Sequence, residues 1–141
     1  MNIYFACSIT GGREFEPAYQ ALTRALLADG HEIPTAHLAD SGVVESELEV
    51  EPLDVYERDV NWIRLADALI AEVSAPSHGV GYEIGVALSA GKPVLCLAQA
   101  GRRVSKMITG NPDPRLRMLF YEDAPDAVRL AREFVLDCMH N

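Results

Sequence analysis

Glu83 stands in the stretch APSHGVGYEIG, Ala75 to Gly85, where a serine, glycines and a carboxylate crowd the passage from an apolar run into a helical pattern. Gly79 and Gly81 would open a helix whose first free N–H groups face a ligand, and such an N-terminus attracts phosphate through those donors and its dipole. Ser77 adds a hydroxyl. About one turn in, Glu83 would set a carboxylate beside the held anion. The plain alternative is a first-turn acid that complements the dipole, which fits many helices. Against it, Ile84, Ala87 and Leu88 must face a sheet, and this leaves Glu83 on the flank near a cleft mouth.

Asp59 is the second carboxylate of interest. Val55, Asp59, Ile63 and Ala66 share one face of a helix. A charge on an apolar stripe is costly unless it is paired or serves a task. Arg58, Arg64 or a backbone donor could pair it, or the helix could fray before burying it; the pattern leaves these open. Glu47, Glu49, Asp54 and Glu57 read as solvated charges.

SITGGR, Ser8 to Arg13, offers two glycines for close backbone approach and the hydroxyls of Ser8 and Thr10. It lacks both the G-x-G-x-x-G spacing of a dinucleotide fingerprint and the G-K-[ST] ending of a P-loop. Taken alone it fits a strand-to-helix turn. His31, His37, His78 and His140 show no metal spacing. His37 could touch a base or sugar at the ligand edge, and Tyr19 faces the same region from the first helix, although both residue types are more often structural. Cys7, Cys96 and Cys138 form no Cys-x-x-Cys pair; Cys7 and Cys96 lie in apolar runs, where a free cysteine usually fills core.

These residues need a frame, and alternating strand and helix patterns supply one. NIYFACS, HEIPTA, DALIAEVS, KPVLCLA and RMLFYE read as five buried strands. Helical periods occupy about 16–29, 52–66, 79–90 and 124–139, with Pro17 at a first helical position and Gly30 and Gly91 as stops. Residues 38–51 are acidic and aperiodic, a loop by pattern, and SKMITG is a short turn. The fold class expected is α/β: a single doubly wound, Rossmann- or flavodoxin-like domain over residues 1–141, with a five-stranded parallel sheet and helices on both faces. Ligands in such sheets sit beyond the carboxyl ends of the strands. That edge gathers Ser8 to Arg13, Ser74 to Glu83 and Gln99 to Gly110.

With 141 residues the chain can bury a real core. Its net charge of −9 disfavours a nucleic-acid surface but leaves room for a small anion held locally. No leader and no membrane-length apolar run is visible. A soluble, cytoplasmic protein without membrane or nucleic-acid partners is the expectation.

IYFACSITGGRE, ERDVNWIRLADALIAEVSAPSHGVGYEIG, GKPVLCL and VSKMITG, taken together and in this order, resemble the 2′-deoxynucleoside 5′-phosphate N-hydrolases, the phosphate-requiring branch of the nucleoside 2-deoxyribosyltransferase family. The resemblance implies a glycosidase that frees the base from a nucleoside 5′-monophosphate without cofactor or metal. It makes Glu83 the nucleophile and Asp59 the proton donor to the leaving base, and it counts Tyr4 with them. Ala6, Cys7, Ser8, Ile9, Thr10, Gly11, Gly12 and Arg13 would form the first ligand loop, joined by Tyr19 and His37. Ser77 and Gly79 would bind the 5′-phosphate. Ser105, Lys106 and Met107 would come from the neighbouring subunit of a homodimer. Cys7 replaces a glycine and Thr10 an arginine of the mammalian-type enzymes, which bears on base preference and phosphate affinity. Cys7-Ser8 also stands where the sugar-transferring branch has Gly-Pro. Base exchange, hydrolysis of ribonucleotides such as CMP, and a non-catalytic nucleotide-binding module are the alternatives; keeping both Asp59 and Glu83 argues against the last.

Overall fold

Four apolar runs form a parallel sheet in the computed structural model, which describes residues 1–141. The strands are β1 (Ile3–Ala6), β2 (Ala68–Glu72), β3 (Val94–Gln99) and β4 (Leu116–Tyr121), hydrogen-bonded in that order. Ile3 lies opposite Ala68, Leu69 opposite Val94, and Val94 opposite Leu116. Every residue of β1 and β2 is buried, as strands covered on both faces must be.

Helices α1 (Glu16–Ala28), α2 (Val43–Leu48), α3 (Pro52–Leu65), α4 (His78–Ser89), α5 (Lys106–Thr109) and α6 (Ala124–His140) complete the fold, with a 3-10 turn at Ala36–Ala39. The twofold period of the strands divides the core into two layers. Ile3 and Phe5 point to Tyr19, Leu22 and Leu26 of α1 and to Ala127 and Phe134 of α6. Tyr4 and Ala6 point the other way, to Ile63 of α3 and to Ile84 and Ala87 of α4. No helix is long and apolar enough to cross a membrane.

The sheet has four strands, not the five expected. HEIPTA is reduced to one parallel bridge, Glu32 opposite Asn2. There Glu32 N–H donates to the Met1 carbonyl at 2.9 Å, and Ile3 N–H donates to the Glu32 carbonyl at 2.8 Å. The next donor along this ladder would be residue 34. Proline has no N–H, so the ladder stops at Pro34. Phe5 N–H turns instead to Thr35 Oγ1 at 3.0 Å.

Residues 38–51 are likewise not the aperiodic loop expected. They hold the end of the 3-10 turn and all of α2, because Leu38, Ala39 and Val43 have apolar side chains to bury against the α1 layer.

Candidate active site

All four parallel strands end on the same edge of the sheet, and the loops after β1 and β2 meet there. Gly11 makes the first junction possible. A side-chain carbon at this position would overlap the Pro76 carbonyl oxygen and lie 2.8 Å from Ser8 Oγ. Only glycine lets the loops after β1 and β2 touch. Gly12 follows with φ 119°, in the region that favours glycine.

Ser77 starts α4. Its extended backbone precedes the first turn, and its Oγ accepts from Val80 N–H at 3.3 Å, an N-cap. Accepting that bond leaves the hydroxyl proton free to donate outward. A side-chain carbon on Gly79 would lie 3.9 Å from both Ser77 Oγ and Glu83 Oε1. The Glu83 carboxylate therefore folds back toward the opening turn of its own helix. Burial pushes its carboxyl up to about 7. The Tyr4 hydroxyl opposes that rise, the Asp59 charge adds to it, and Arg58 opposes it.

Tyr4 reaches the same place from β1. Its side chain is fully buried, and its Oη has no hydrogen-bond partner of ordinary geometry. Burial, then the charges of Glu83 and Asp59, push its hydroxyl far above the usual tyrosine range. It stays protonated, a donor beside the charges of Glu83 and Asp59. Asp59 comes from α3 and is paired: Arg58 Nε donates to Asp59 Oδ1 at 2.8 Å. The same guanidinium spans to Glu47 of α2, with bonds of 3.1 and 3.2 Å to the two carboxylate oxygens. Glu47 is thus not a solvated charge; its side chain is only 13% exposed.

The other expected residues divide into three groups. Ala6, Cys7 and Ser8 are buried at the end of β1, Ile9 is half-buried, and Thr10, Gly11 and Gly12 are exposed on the loop. Ser8 Oγ is buried without a partner. Burial pushes the Cys7 thiol up to about 12, so it is inert filling. Arg13 is turned inward: it donates to the carbonyls of Ser8, Leu38 and Asp40 at 3.0, 2.9 and 2.9 Å and to Glu16 at 3.0 Å. Those bonds fasten the loop to residues 38–40. Tyr19 lies fully in the α1 core, under Arg13. His37 is exposed, near Glu47 at 3.4 Å and edge-on to Trp62.

Ser105, Lys106 and Met107 are exposed at the start of α5. With Ser77, His78 and Ile84, Ser105 and Met107 line a cavity of about 510 Å³ between α4 and residues 103–111. Glu83 is not among its lining residues.

One buried carboxylate escaped sequence reasoning. Glu72 ends β2 with no exposure. It accepts from Tyr121 Oη at 3.0 Å, from Ser74 Oγ and from Ser74 N–H. Burial pushes it up to about 6 against those donors. Its signal was available: a lone charge inside the apolar run ALIAEV.

The family model described as nucleoside 2-deoxyribosyltransferase matches residues 3–131. A relative from Methanococcoides burtonii, provisionally named 2′-deoxynucleoside 5′-phosphate N-hydrolase 1, is 41% identical over 79% of this chain and 91% of its own length. The 5-hydroxymethyl-dUMP N-hydrolase of Rattus norvegicus is 39% identical over 94% of this chain and 84% of its own. In fold, the chain is similar to the CMP N-glycosidase of Clostridium botulinum, with a TM-score of 0.72, 19% identity, and 94% and 98% of the two chains covered. With a match of this extent from the first strand into the last helix, the chain belongs to the nucleoside 2-deoxyribosyltransferase family.

Proposed function

We propose that this protein hydrolyses the N-glycosidic bond of 2′-deoxynucleoside 5′-monophosphates, giving free base and 2-deoxyribose 5-phosphate. The observation that carries this reading is the convergence of Glu83, Asp59 and Tyr4 beside the capped opening of α4. The relatives named as nucleotide N-hydrolases support the reaction class.

The 5′-phosphate docks at the α4 N-terminus, where free N–H groups and the Ser77 hydroxyl donate to it. That remote contact fixes C1′ over Glu83. A Glu83 oxygen bonds to C1′ as the C1′–N bond breaks, and Asp59, protonated once the nucleotide is bound, passes its proton to the departing base. Water then attacks C1′ and gives its proton back to Asp59, and the ester bond to Glu83 breaks. Tyr4 donates to the carboxylate and holds its lone pairs in line. The neighbouring subunit of a homodimer closes the site with Ser105 and Met107, as the family resemblance implies.

The test is to incubate the protein with each deoxy- and ribonucleoside 5′-monophosphate and with the matching nucleosides, and to resolve free base by chromatography. Base release from deoxynucleotides is expected, lost by orders of magnitude in Glu83→Gln, with a deoxyribosyl-phosphate adduct on Glu83 in quenched wild type. Equal or better turnover of nucleosides would overturn the phosphate requirement. Base exchange in place of hydrolysis, or release from CMP alone, would move the protein to another branch.

A further inference from the structure

Neighbouring residues on a helix diverge by about 100°, so positions i and i+1 do not face each other. Arg58 and Asp59 break that expectation, with Arg58 Nε 2.8 Å from Asp59 Oδ1. Two contacts pull the arginine over. Glu47 of α2 takes both terminal nitrogens. Trp62, one turn on, lies under the guanidinium at 5.0 Å from its ring centre. The five guanidinium N–H donors lie in one plane, and three of them are spent on two carboxylates at once. Its side chain is 24% exposed and those of Asp59 and Glu47 are 17% and 13% exposed.

We propose that Arg58 is a positioning residue: locked by Glu47 and Trp62, it holds the Asp59 carboxylate in line and places a fixed positive charge beside Glu83. The catalytic part of this proposal rests on the hydrolase reading above; the geometric and electrostatic part does not. The groups facing Glu83 are Tyr4 of β1 and the Asp59–Arg58 pair of α3. Glu47 of α2, with His37 against it, stands one contact further out, and its only path to the pair is Arg58. The α2 carboxylate therefore reports on the reacting carboxylates through the Arg58 side chain. The Arg58 charge lowers the pKa of both Glu83 and Tyr4, so removing it makes the nucleophile harder to ionise.

The deciding measurement is a carboxylate NMR titration of Glu83 in wild type, Arg58→Gln, Arg58→Lys and Glu47→Gln, run alongside the pH profile of kcat/KM. Arg58→Gln is expected to move the Glu83 midpoint, and the acid limb of the profile with it, upward by about one pH unit. Arg58→Lys keeps the charge and loses the fork, so the midpoint stays near wild type while kcat falls about tenfold. Glu47→Gln lowers kcat with KM little changed, and adding it to Arg58→Gln costs nothing further, because both act on one chain of contacts. An unmoved midpoint in Arg58→Gln, or additive losses in the double variant, would overturn the proposal. Should Arg58→Gln fold poorly, Arg58→Lys and Glu47→Gln still decide it by the split between midpoint and kcat. If wild type frees no base from any nucleotide, the hydrolase reading fails while the titration still rules on Arg58.

Discussion

In the proposed reaction the Glu83 carboxylate has to be ionised to attack carbon, yet the fold makes that ionisation costly. Burial sets its midpoint at about 7, where an ordinary glutamate has 4.5. Two opposite pH dependences follow. Activity needs the charged form, so kcat/KM should rise as pH passes upward through 7 and fall about tenfold per unit below it. Stability goes the other way. A carboxyl whose folded value is raised favours the protonated fold, so its contribution is fully present below about 4.5 and is lost as pH rises through 7. Glu72, raised to about 6, works in the same sense over a lower window. Glu83→Gln should therefore be inactive but no less stable. Its melting temperature should exceed that of wild type by a few degrees at pH 8 and match it at pH 5. A variant that melts lower than wild type at pH 8 would show that the charged carboxylate is held by more than burial allows.

At the scale of elements, α4 carries two tasks on one residue. Ser77 caps the helix through Val80 N–H and, in the proposed function, donates to phosphate. Ser77→Asp separates the tasks, because aspartate caps as well as serine does but repels a phosphate. Thermal melting should stay within about 1 kcal/mol of wild type, while KM for nucleotides rises steeply and any turnover of nucleosides is spared. Equal losses on both substrates would remove Ser77 from the phosphate site. The strand-to-helix step at Ser77 was legible in the sequence, although its role as N-cap was not read there, and so were α1, α3, α4 and α6, whose apolar periods are long. Asp59 was legible as a charge on an apolar stripe, whereas Tyr4 entered only through family resemblance, because nothing in its strand distinguishes it from neighbouring apolar residues. The missing strand turned on one absent donor at Pro34, which no apolar count reveals. Arg58 was legible as a possible partner of Asp59, whereas Glu47 was misread as a solvated charge, because its pairing with Arg58 joins α2 to α3 across a turn and local spacing carries no such information.

The whole molecule leaves apolar surface exposed beside the site. Met107 is 83% exposed, and the Tyr56 and Tyr82 rings stand 6.2 Å apart on the outer faces of α3 and α4. Gly81 and Gly85 line both the hollow beside these tyrosines and the cavity that Met107 borders. An apolar strip thus runs from α3 over α4 to α5, the kind of surface that a subunit contact covers. A second copy seated there by a twofold axis would bring Ser105 of the partner subunit toward the phosphate end of α4, and the reverse contact would follow by symmetry. Mixing Glu83→Gln chains with Ser105→Ala chains tests this. Each pure variant has two defective sites. A mixed dimer has one site in which both lesions meet and one that is intact. After subunit exchange, an equal mixture should recover about a quarter of wild-type activity, since half the dimers are mixed and each keeps one working site. Activity no higher than the mean of the two pure variants, with exchange demonstrated by mass spectrometry, would place Ser105 outside the partner's site.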